Sequence, residues 1–324
     1  MKHSMKYLVC AAALVLGPAI LVVPPLTFAA ENPSWAYPVA PKGAPKRDPS
    51  KIITVPGSDK KYNEVEVNNP YGPPDWFPGD HPQMPPAVSN GRRPEPRACS
   101  LCHLTTGDGH PESAGIAGLP VPYIIRTLQD FKEGRRTGIR TTAMIDITKG
   151  MTDADMKEAA EYFAQIKPRL GYVKVVEAPE VPKTYVGAGA MRFVTTGAEA
   201  GKEPIGQRII TVPQDEHAAE ARNPRVGFNH YVPPGSIKKG EDLVKTGGNG
   251  KTVPCAICHG PNLKGLGEVP PIANRDLLYV VRQLNDMQNG VRSGTWVALM
   301  KPVVEKLTMD DMIALAAYIG TLEP

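Results

Sequence analysis

The chain contains the stretch Cys99-Ser100-Leu101-Cys102-His103, and its pattern returns at Cys255-Ala256-Ile257-Cys258-His259. Both stretches read C-x-x-C-H. In a helical turn the two cysteines and the histidine share one face, because side chains three and four residues apart are neighbours. This pattern is typical of covalent haem attachment, in which the thiols bond to the porphyrin and the imidazole binds the iron. We therefore predict two haem c groups, bound covalently at Cys99, Cys102, Cys255 and Cys258 and ligated by His103 and His259.

Two other kinds of site use C-x-x-C pairs, and the spacing disfavours both. A zinc ribbon places its two pairs about 15–20 residues apart, whereas Cys99 and Cys255 are 156 residues apart. A thioredoxin-like redox pair lies next to a βαβ pattern, and it would not require a following histidine in two places.

A shift of 156 residues superimposes the second motif and its surroundings on the first without a gap. The matching pairs beyond the motifs include Tyr123 with Tyr279, Arg126 with Arg282, Gly134 with Gly290, Arg136 with Arg292, Gly138 with Gly294, Met144 with Met300 and Thr152 with Thr308. Agreement over this length in a single frame indicates that one unit has been duplicated.

Met144 and Met300 are the candidates for the second axial position of each iron. Each lies 41 residues after its proximal histidine and precedes a threonine that can cap a helix. A thioether ligand raises the reduction potential, and it also closes the iron to substrates. Other candidates fit less well. Met151 is opposite a leucine in the repeat, and Met156 and Met312 fall on an apolar helix face. The histidines that could serve do not repeat (His81, His110, His217, His230).

Tyr123, Arg126, Tyr279 and Arg282 are candidate contacts of the haem propionates. Each arginine follows its tyrosine by about one helical turn, and a guanidinium suits an anionic carboxylate. The alternative is that these residues form a solvated helix face.

The order of segments predicts two helical domains, each preceded by an extended arm. The boundaries are a signal peptide at 1–30, a Pro-rich arm at 31–86, a first domain at 87–170, a connector at 171–232 and a second domain at 233–324. The N-terminal apolar stretch ends in small residues, which favours cleavage, although an uncleaved membrane anchor is the alternative. Within the first arm, residues 52–55 and 65–67 look strand-like. Apolar spacing predicts helices at 123–134, 152–168, 236–246, 276–290 and from Thr308 onward.

Composition excludes some functions. The net charge is only +4 over 324 residues, which gives no reason to expect a nucleic-acid partner. There are 35 prolines, about twice the average share. Five cysteines are present, four in the motifs and Cys10 in the N-terminal stretch, so no thiol is left for a structural disulfide or a nucleophile.

Each repeat resembles a class I cytochrome c, and the pair resembles the two-domain dihaem cytochromes c of the bacterial periplasm. The residues that carry this resemblance are CAICHG (255–260), PPIANRDLLYVVRQLNDMQNGVRSG (270–294) and LMKPVVEKLTMDDMIALAAYI (299–319), with weaker copies in the first repeat. The resemblance implies an all-α fold of two tandem domains, with the N- and C-terminal helices crossing at Gly240 and Tyr318 in the second. Pro270 or Pro271 would hold the second proximal histidine. At the positions equivalent to Pro270 and Pro271, the first repeat has Ala114 and Gly115. Its Gly91, which would correspond to Gly240, lies too close to the motif for a full first helix.

The function implied by this resemblance is periplasmic electron transfer without catalysis. Electrons would come from a periplasmic dehydrogenase or a quinol-oxidising complex and pass to a terminal oxidase or reductase. The membrane would be reached only through a partner or an uncleaved anchor. Three alternatives remain: an electron-transfer subunit of a larger complex, a dihaem peroxidase, and a thiosulfate dehydrogenase, of which the last family uses a cysteine axial ligand.

Overall fold

Residues 32–43 and 46–324 are described by the computed structural model of the chain. The segment predicted as a signal peptide, residues 1–30, and Cys10 lie outside the described residues. Within the described ranges, no helix is both long and apolar enough to cross a membrane.

The N-terminal arm begins its regular structure with a short hairpin. Strands β1 (Ile52–Ile53) and β2 (Tyr62–Asn63) pair antiparallel. The strand-like run at 65–67 is instead part of helix α1 (Glu64–Val67). Asn63 Oδ1 accepts hydrogen bonds from the amides of Val65 and Glu66, while the Glu66 carboxylate accepts one from the Asn63 amide. This capping box satisfies the amides of a helical turn, which a strand would leave free.

The arm is docked through its aromatic residues. Trp76 and Phe77 are buried in a cluster with residues of β1 and α1 and with Ala221 of the connector. Trp76 Nε1 also donates a hydrogen bond to the Ala221 carbonyl at 2.7 Å. A buried indole usually finds such a partner, and here the bond ties the arm to the connector.

The first haem-motif half consists of short and medium helices. They are α2 (Pro86–Ser89), α3 (Ser100–His103), α4 (Val121–Lys132), α5 (Thr142–Gly150) and α6 (Asp153–Ala164). Thr152 caps α6 as predicted, in a capping box with Asp155. Met144 lies inside α5 and not in the loop that the sequence suggests. The predicted shortness of the first helix is confirmed, because α2 has four residues. Gly91 forms a bridge with Arg97 and makes no helix crossing.

The connector has more regular structure than its proline content predicts. Its strands are β3 (Val173–Glu177), β4 (Glu180–Pro182), β5 (Thr184–Val186), β6 (Arg192–Val194), β7 (Lys202–Pro204), β8 (Ile210–Pro213) and β9 (Phe228–Val232), with helix α7 (Glu216–Glu220) before β9. Strand β9 lies between β3, which is parallel, and β8, which is antiparallel. Strands β4 and β7, and β5 and β6, form two antiparallel pairs. The predicted all-α fold class therefore describes the two halves, whereas the chain as a whole combines helices with small sheets.

The second haem-motif half has the longer helices. They are α8 (Ser236–Thr246), α9 (Ala256–His259), α10 (Leu277–Gln288), α11 (Lys301–Val304) and α12 (Met309–Thr321). Helices α8 and α12 cross at Gly240, where a Cβ would overlap the Ala314 carbonyl and lie 2.8 Å from Tyr318 Cβ. The predicted contact of Gly240 with Tyr318 is therefore confirmed, since only a residue without a side chain fits this approach.

Residues 32–324 form one compact unit in which each half has its own apolar core. The core of the second half extends into the connector through Phe193 and Phe228. The halves meet where the loop after α4 pairs with the loop after α10, at Arg136 and Arg292. Both motifs therefore lie in one compact unit, although the long connector lies between them in the sequence.

Candidate haem sites

The first motif begins at Cys99, and α3 carries the rest of it. His103 Nδ1 donates a hydrogen bond to the Ala114 carbonyl at 2.8 Å, because a carbonyl oxygen can only accept. This bond fixes the ring and leaves Nε2 as the nitrogen available to a metal. Burial lowers the pKa of His103, so its imidazole stays neutral as an iron ligand requires.

The second motif has the same geometry. His259 Nδ1 donates to the Pro270 carbonyl at 2.8 Å, again eleven residues further along the chain. Of the two prolines that the resemblance left open, Pro270 is therefore the one that holds the ring. Ala114 takes its place in the first half, because a backbone carbonyl is all that the contact needs.

A cavity of about 640 Å³ adjoins the first motif. Its wall includes Cys102, His103 and Met144, together with apolar residues of α4 and α5. The structure thus brings the predicted proximal histidine, one attachment thiol and the predicted thioether to the wall of one cavity. All four described cysteines are free, as covalent attachment to a porphyrin requires. The residues present therefore fit a haem c group.

Met300 ends a 3₁₀ turn, Thr295–Met300, and packs half-buried against the core of the second half. The other candidate ligands lie in the cores or have polar partners, except for His110 and His217. Met151, Met156 and Met312 are buried in the two cores. His230 is buried against Thr211 and Asp276, and His81 bonds to Asp75. His110 and His217 line the cavity of the first half.

Two arginines at the junction of the halves were not among the propionate candidates. Arg136 Nη2 and Arg292 Nη1 both donate to Gln283 Oε1, at 2.5 and 2.9 Å, and Arg292 Nη2 donates to the Tyr123 hydroxyl at 3.1 Å. Both side chains are buried, and neither forms an ion pair with a carboxylate among the described residues. Arg136 Nε has no hydrogen-bond partner there.

Buried positive charge without a carboxylate is costly unless an anion compensates it. A haem propionate would supply such an anion, so Arg136, which lines the cavity and whose Nε lacks a hydrogen-bond partner, is a second observation that fits the cofactor. Burial by itself raises the pKa of Tyr123, but the adjacent Arg292 and Arg136 outweigh it and lower that pKa to about 8. The repeated pattern Gly-x-Arg-x-Gly at 134–138 and 290–294 is the sequence signal that identifies these arginines.

The predicted propionate contacts occupy different environments. Tyr123, Tyr279 and Arg282 line the cavity of the first half. Arg126 does not: its guanidinium pairs with Glu268 of the second half at 2.6 Å and lies over the Trp296 ring.

Two ion pairs, equivalent in the repeat, join the first half to the second. Glu112 and Glu268 are equivalent in the repeat, as are Arg126 and Arg282. Glu112 Oε2 lies 3.9 Å from Arg282 Nη1 and 3.3 Å from Arg140 Nη2, with its side chain fully buried. Burial raises the pKa of Glu112 to about 7, although both arginines oppose the shift. The Glu268–Arg126 pair, in contrast, is exposed.

No family model matches the sequence. The alignments with known proteins nevertheless extend over both repeats. A thiosulfate dehydrogenase electron acceptor from Thiomonas intermedia is 25% identical over 240 residues, which are 72% of this chain and 83% of that protein. Cytochrome c4 from Pseudomonas aeruginosa is 21% identical over 229 residues, covering 69% and 83%. The crystal structure of reduced recombinant cytochrome c4 from Pseudomonas stutzeri aligns with a TM-score of 0.46 at 22% identity, covering 69% of this chain and 93% of that one.

Over about 70% of its length the chain is similar to dihaem c-type cytochromes. Its cofactors are two haem c groups, and its function is electron transfer. The two haem sites of the chain are unequal. After the second motif Gly260 has φ of 73°, and Leu104 adopts φ of 60° at the equivalent position, where a side chain is strained. In place of a long first helix, the first site has α2 and the arm, whose His81 ring packs against Tyr162.

Proposed function

We propose that this cytochrome accepts electrons from a dehydrogenase in the periplasm and delivers them to a terminal oxidase or reductase. In this proposal each iron has one histidine and one methionine ligand: His103 with Met144, and His259 with Met300. When bound, haem supplies a one-electron couple between ferrous and ferric iron. The residues of the chain hold the cofactor, set its potential and keep other ligands away from the iron.

The observation that carries this proposal is the cavity that His103 shares with Met144. A thioether favours ferrous iron and so raises the reduction potential. A neutral imidazole, fixed by its carbonyl partner, provides the other ligand without any proton transfer. Met144 and Met300 keep the same register from their histidines, which supports the same ligation in both halves.

The names of two relatives support a dehydrogenase as the electron donor. The proteins from Thiomonas intermedia and from Stutzerimonas stutzeri are each named as the electron acceptor of a thiosulfate dehydrogenase. A similar role here would make this cytochrome the partner or subunit of a dehydrogenase. The dehydrogenase role itself fits less well, because it needs a cysteine axial ligand and every cysteine in the described ranges belongs to a motif. The apolar N-terminal stretch and the covalent haem motifs support a periplasmic location.

Absorption spectra of the ferric protein test the ligand assignment. We expect two low-spin haems and the weak long-wavelength band that thioether ligation gives. Met144→Ala and Met300→Ala should each remove about half of that band, since each would remove one of two equal contributions. Met151→Ala, a buried methionine of the same half, is the matched control and should retain the band. A stable high-spin haem in the intact protein, or loss of the band in Met151→Ala, would refute the proposal.

A further inference from the structure

Arg275 contacts the loops that follow both haem motifs. Its Nε donates a hydrogen bond to the Pro271 carbonyl at 3.3 Å, and its Nη1 donates one to the Gly115 carbonyl at 3.0 Å. A third bond runs from its Nη2 to the Ala117 carbonyl at 3.2 Å. Pro271 belongs to the second half, as Arg275 itself does, whereas Gly115 and Ala117 belong to the first. One guanidinium therefore joins the two loops.

The carbonyls of Gly115 and Pro271 are equivalent in the repeat, because a shift of 156 residues superimposes them. Each follows directly after the residue whose carbonyl accepts the hydrogen bond of a proximal histidine; these residues are Ala114 and Pro270. Neighbouring peptide planes are rigid and share one Cα, so a donor that fixes one carbonyl restricts the next. Arg275 thus holds both proximal loops at the same place.

The side chain at this position differs between the two repeats. The residue equivalent to Arg275 is Leu119, whose side chain packs in the apolar core of the first half. A leucine side chain has no hydrogen-bond donor, so the first half does not return the contact. Both loops therefore depend on a single guanidinium from the second half.

The surroundings of Arg275 make its contacts strong. Its side chain is 7% exposed, and a guanidinium presents its N–H groups in a rigid, planar fork. Hydrogen bonds from a charged donor are stronger than neutral ones, and the low dielectric of a buried site strengthens them further. The Gly115 peptide is also packed closely, because a Cβ there would lie 2.9 Å from the Asp108 carbonyl. Packing and the bond to Arg275 together fix this peptide.

We propose that Arg275 is a positioning residue that keeps both proximal imidazoles oriented, so that the ligand geometry of both haems depends on one side chain. This inference deepens the proposed function and rests on its two histidine ligands. The carbonyl that accepts from Nδ1 fixes the imidazole ring and makes the other nitrogen a more basic ligand. Loss of Arg275 frees the loops that carry these carbonyls, and the bonds to His103 and His259 then open more often.

Hydrogen exchange at the imidazoles tests this role in the full-length holoprotein. With isotope-labelled histidine and assigned resonances, NMR follows the Nδ1 protons of His103 and His259 separately. Each proton exchanges with solvent only when its bond to the carbonyl opens. Arg275→Leu introduces the residue type of the equivalent position. It should speed the exchange of both protons at least about tenfold, because hydrogen bonds from a charged donor to both loops are lost.

Arg275→Lys is a second variant, which decides the matter if the leucine variant does not fold. Its ammonium keeps the positive charge but ends one atom short of the two Nη atoms. It therefore loses the contacts with the first half, and only the His103 proton should exchange faster. Arg208→Leu is the matched control, because that guanidinium donates to two carbonyls and a carboxylate within the connector. It should keep wild-type exchange at both histidines.

The positioning role is overturned if either histidine keeps its wild-type exchange in folded Arg275→Leu, or if His103 keeps it in Arg275→Lys. Equal acceleration in Arg208→Leu, or in the backbone amides of α6 and α12, would also overturn it, since the opening would then be global. The wild-type protein separates the two proposals. If neither histidine shows the paramagnetic shifts of a ligand to ferric iron, the proposed function fails. If both show them and the variants match wild type, only the role of Arg275 fails.

Discussion

Arg136 and Arg292 pair backbone to backbone at the junction of the two halves, although 156 residues separate them. They hold the same position in the two repeats, and their neighbours continue the pairing. The Thr137 amide donates to the Val291 carbonyl, and the Ser293 amide donates to the Arg135 carbonyl, both at 2.8 Å. When equivalent residues of two copies meet, the copies are related as in a two-fold dimer. The duplication thus explains both the repeat and the interface.

Arg136→Met should lower the midpoint potential of one haem. Removal of a buried positive charge beside the cavity makes the oxidised, more positive state easier to reach. The expected shift is tens of millivolts, since about 1 kcal/mol corresponds to about 40 mV for one electron. Potentiometric titration of the purified protein measures it. Arg126→Met is the control, because that guanidinium is bound to Glu268 and does not line the cavity. Equal shifts in the two variants would contradict the role assigned to Arg136.

Glu112→Gln should remove a pH dependence from one midpoint potential. As pH rises through about 7, the Glu112 carboxyl ionises and adds negative charge to the cavity wall. The ionised form favours ferric iron, so the wild-type potential falls across about pH 6–8 and the glutamine variant stays flat. Arg140 and Arg282 face this carboxyl, while burial lowers the pKa of His110 to about 3 and keeps it neutral.

Titration of the potential at several pH values gives the measurement for Glu112. Glu268→Gln is a matched control, because it changes the equivalent glutamate of the repeat, whose pair with Arg126 is exposed. That variant should keep the wild-type slope. A slope that survives in Glu112→Gln would mean that another group titrates.

The sequence predicts local features well and relationships between distant segments poorly. The capping boxes at Thr152 and Thr308 and the crossing at Gly240 follow from residues close together or matched by the repeat. The connector sheet does not, because β3 and β9 pair across about fifty residues and each is too short to show a clear alternation. The same holds for Arg126, whose helix position suggested a propionate but whose partner, Glu268, comes from the other half.

Gly240→Ala should destabilise the second half by about 2–3 kcal/mol. Alanine favours a helix over glycine by up to about 1 kcal/mol, but the new methyl group overlaps the Ala314 carbonyl of α12, and backbone cannot move aside cheaply. Denaturant unfolding followed by circular dichroism measures the loss. Gly79→Ala is the control, since a Cβ there meets no atom within 4 Å. A Gly240→Ala protein as stable as Gly79→Ala would show that α8 and α12 do not cross this closely.

Arg222→Ala should loosen the cover over the first motif. The substitution removes three hydrogen bonds that join Leu101, Val67 and Asn68 to the connector. Two buried carbonyls then lose their charged donor, which costs about 1–3 kcal/mol. Hydrogen exchange measured by mass spectrometry should therefore speed up in peptides covering 64–68 and 100–103, while peptides covering 256–259 stay unchanged. Arg225→Ala is the control, because Arg225 is exposed and bound to Asp80. Unaltered exchange at 100–103 in Arg222→Ala would show that the connector does not close this site.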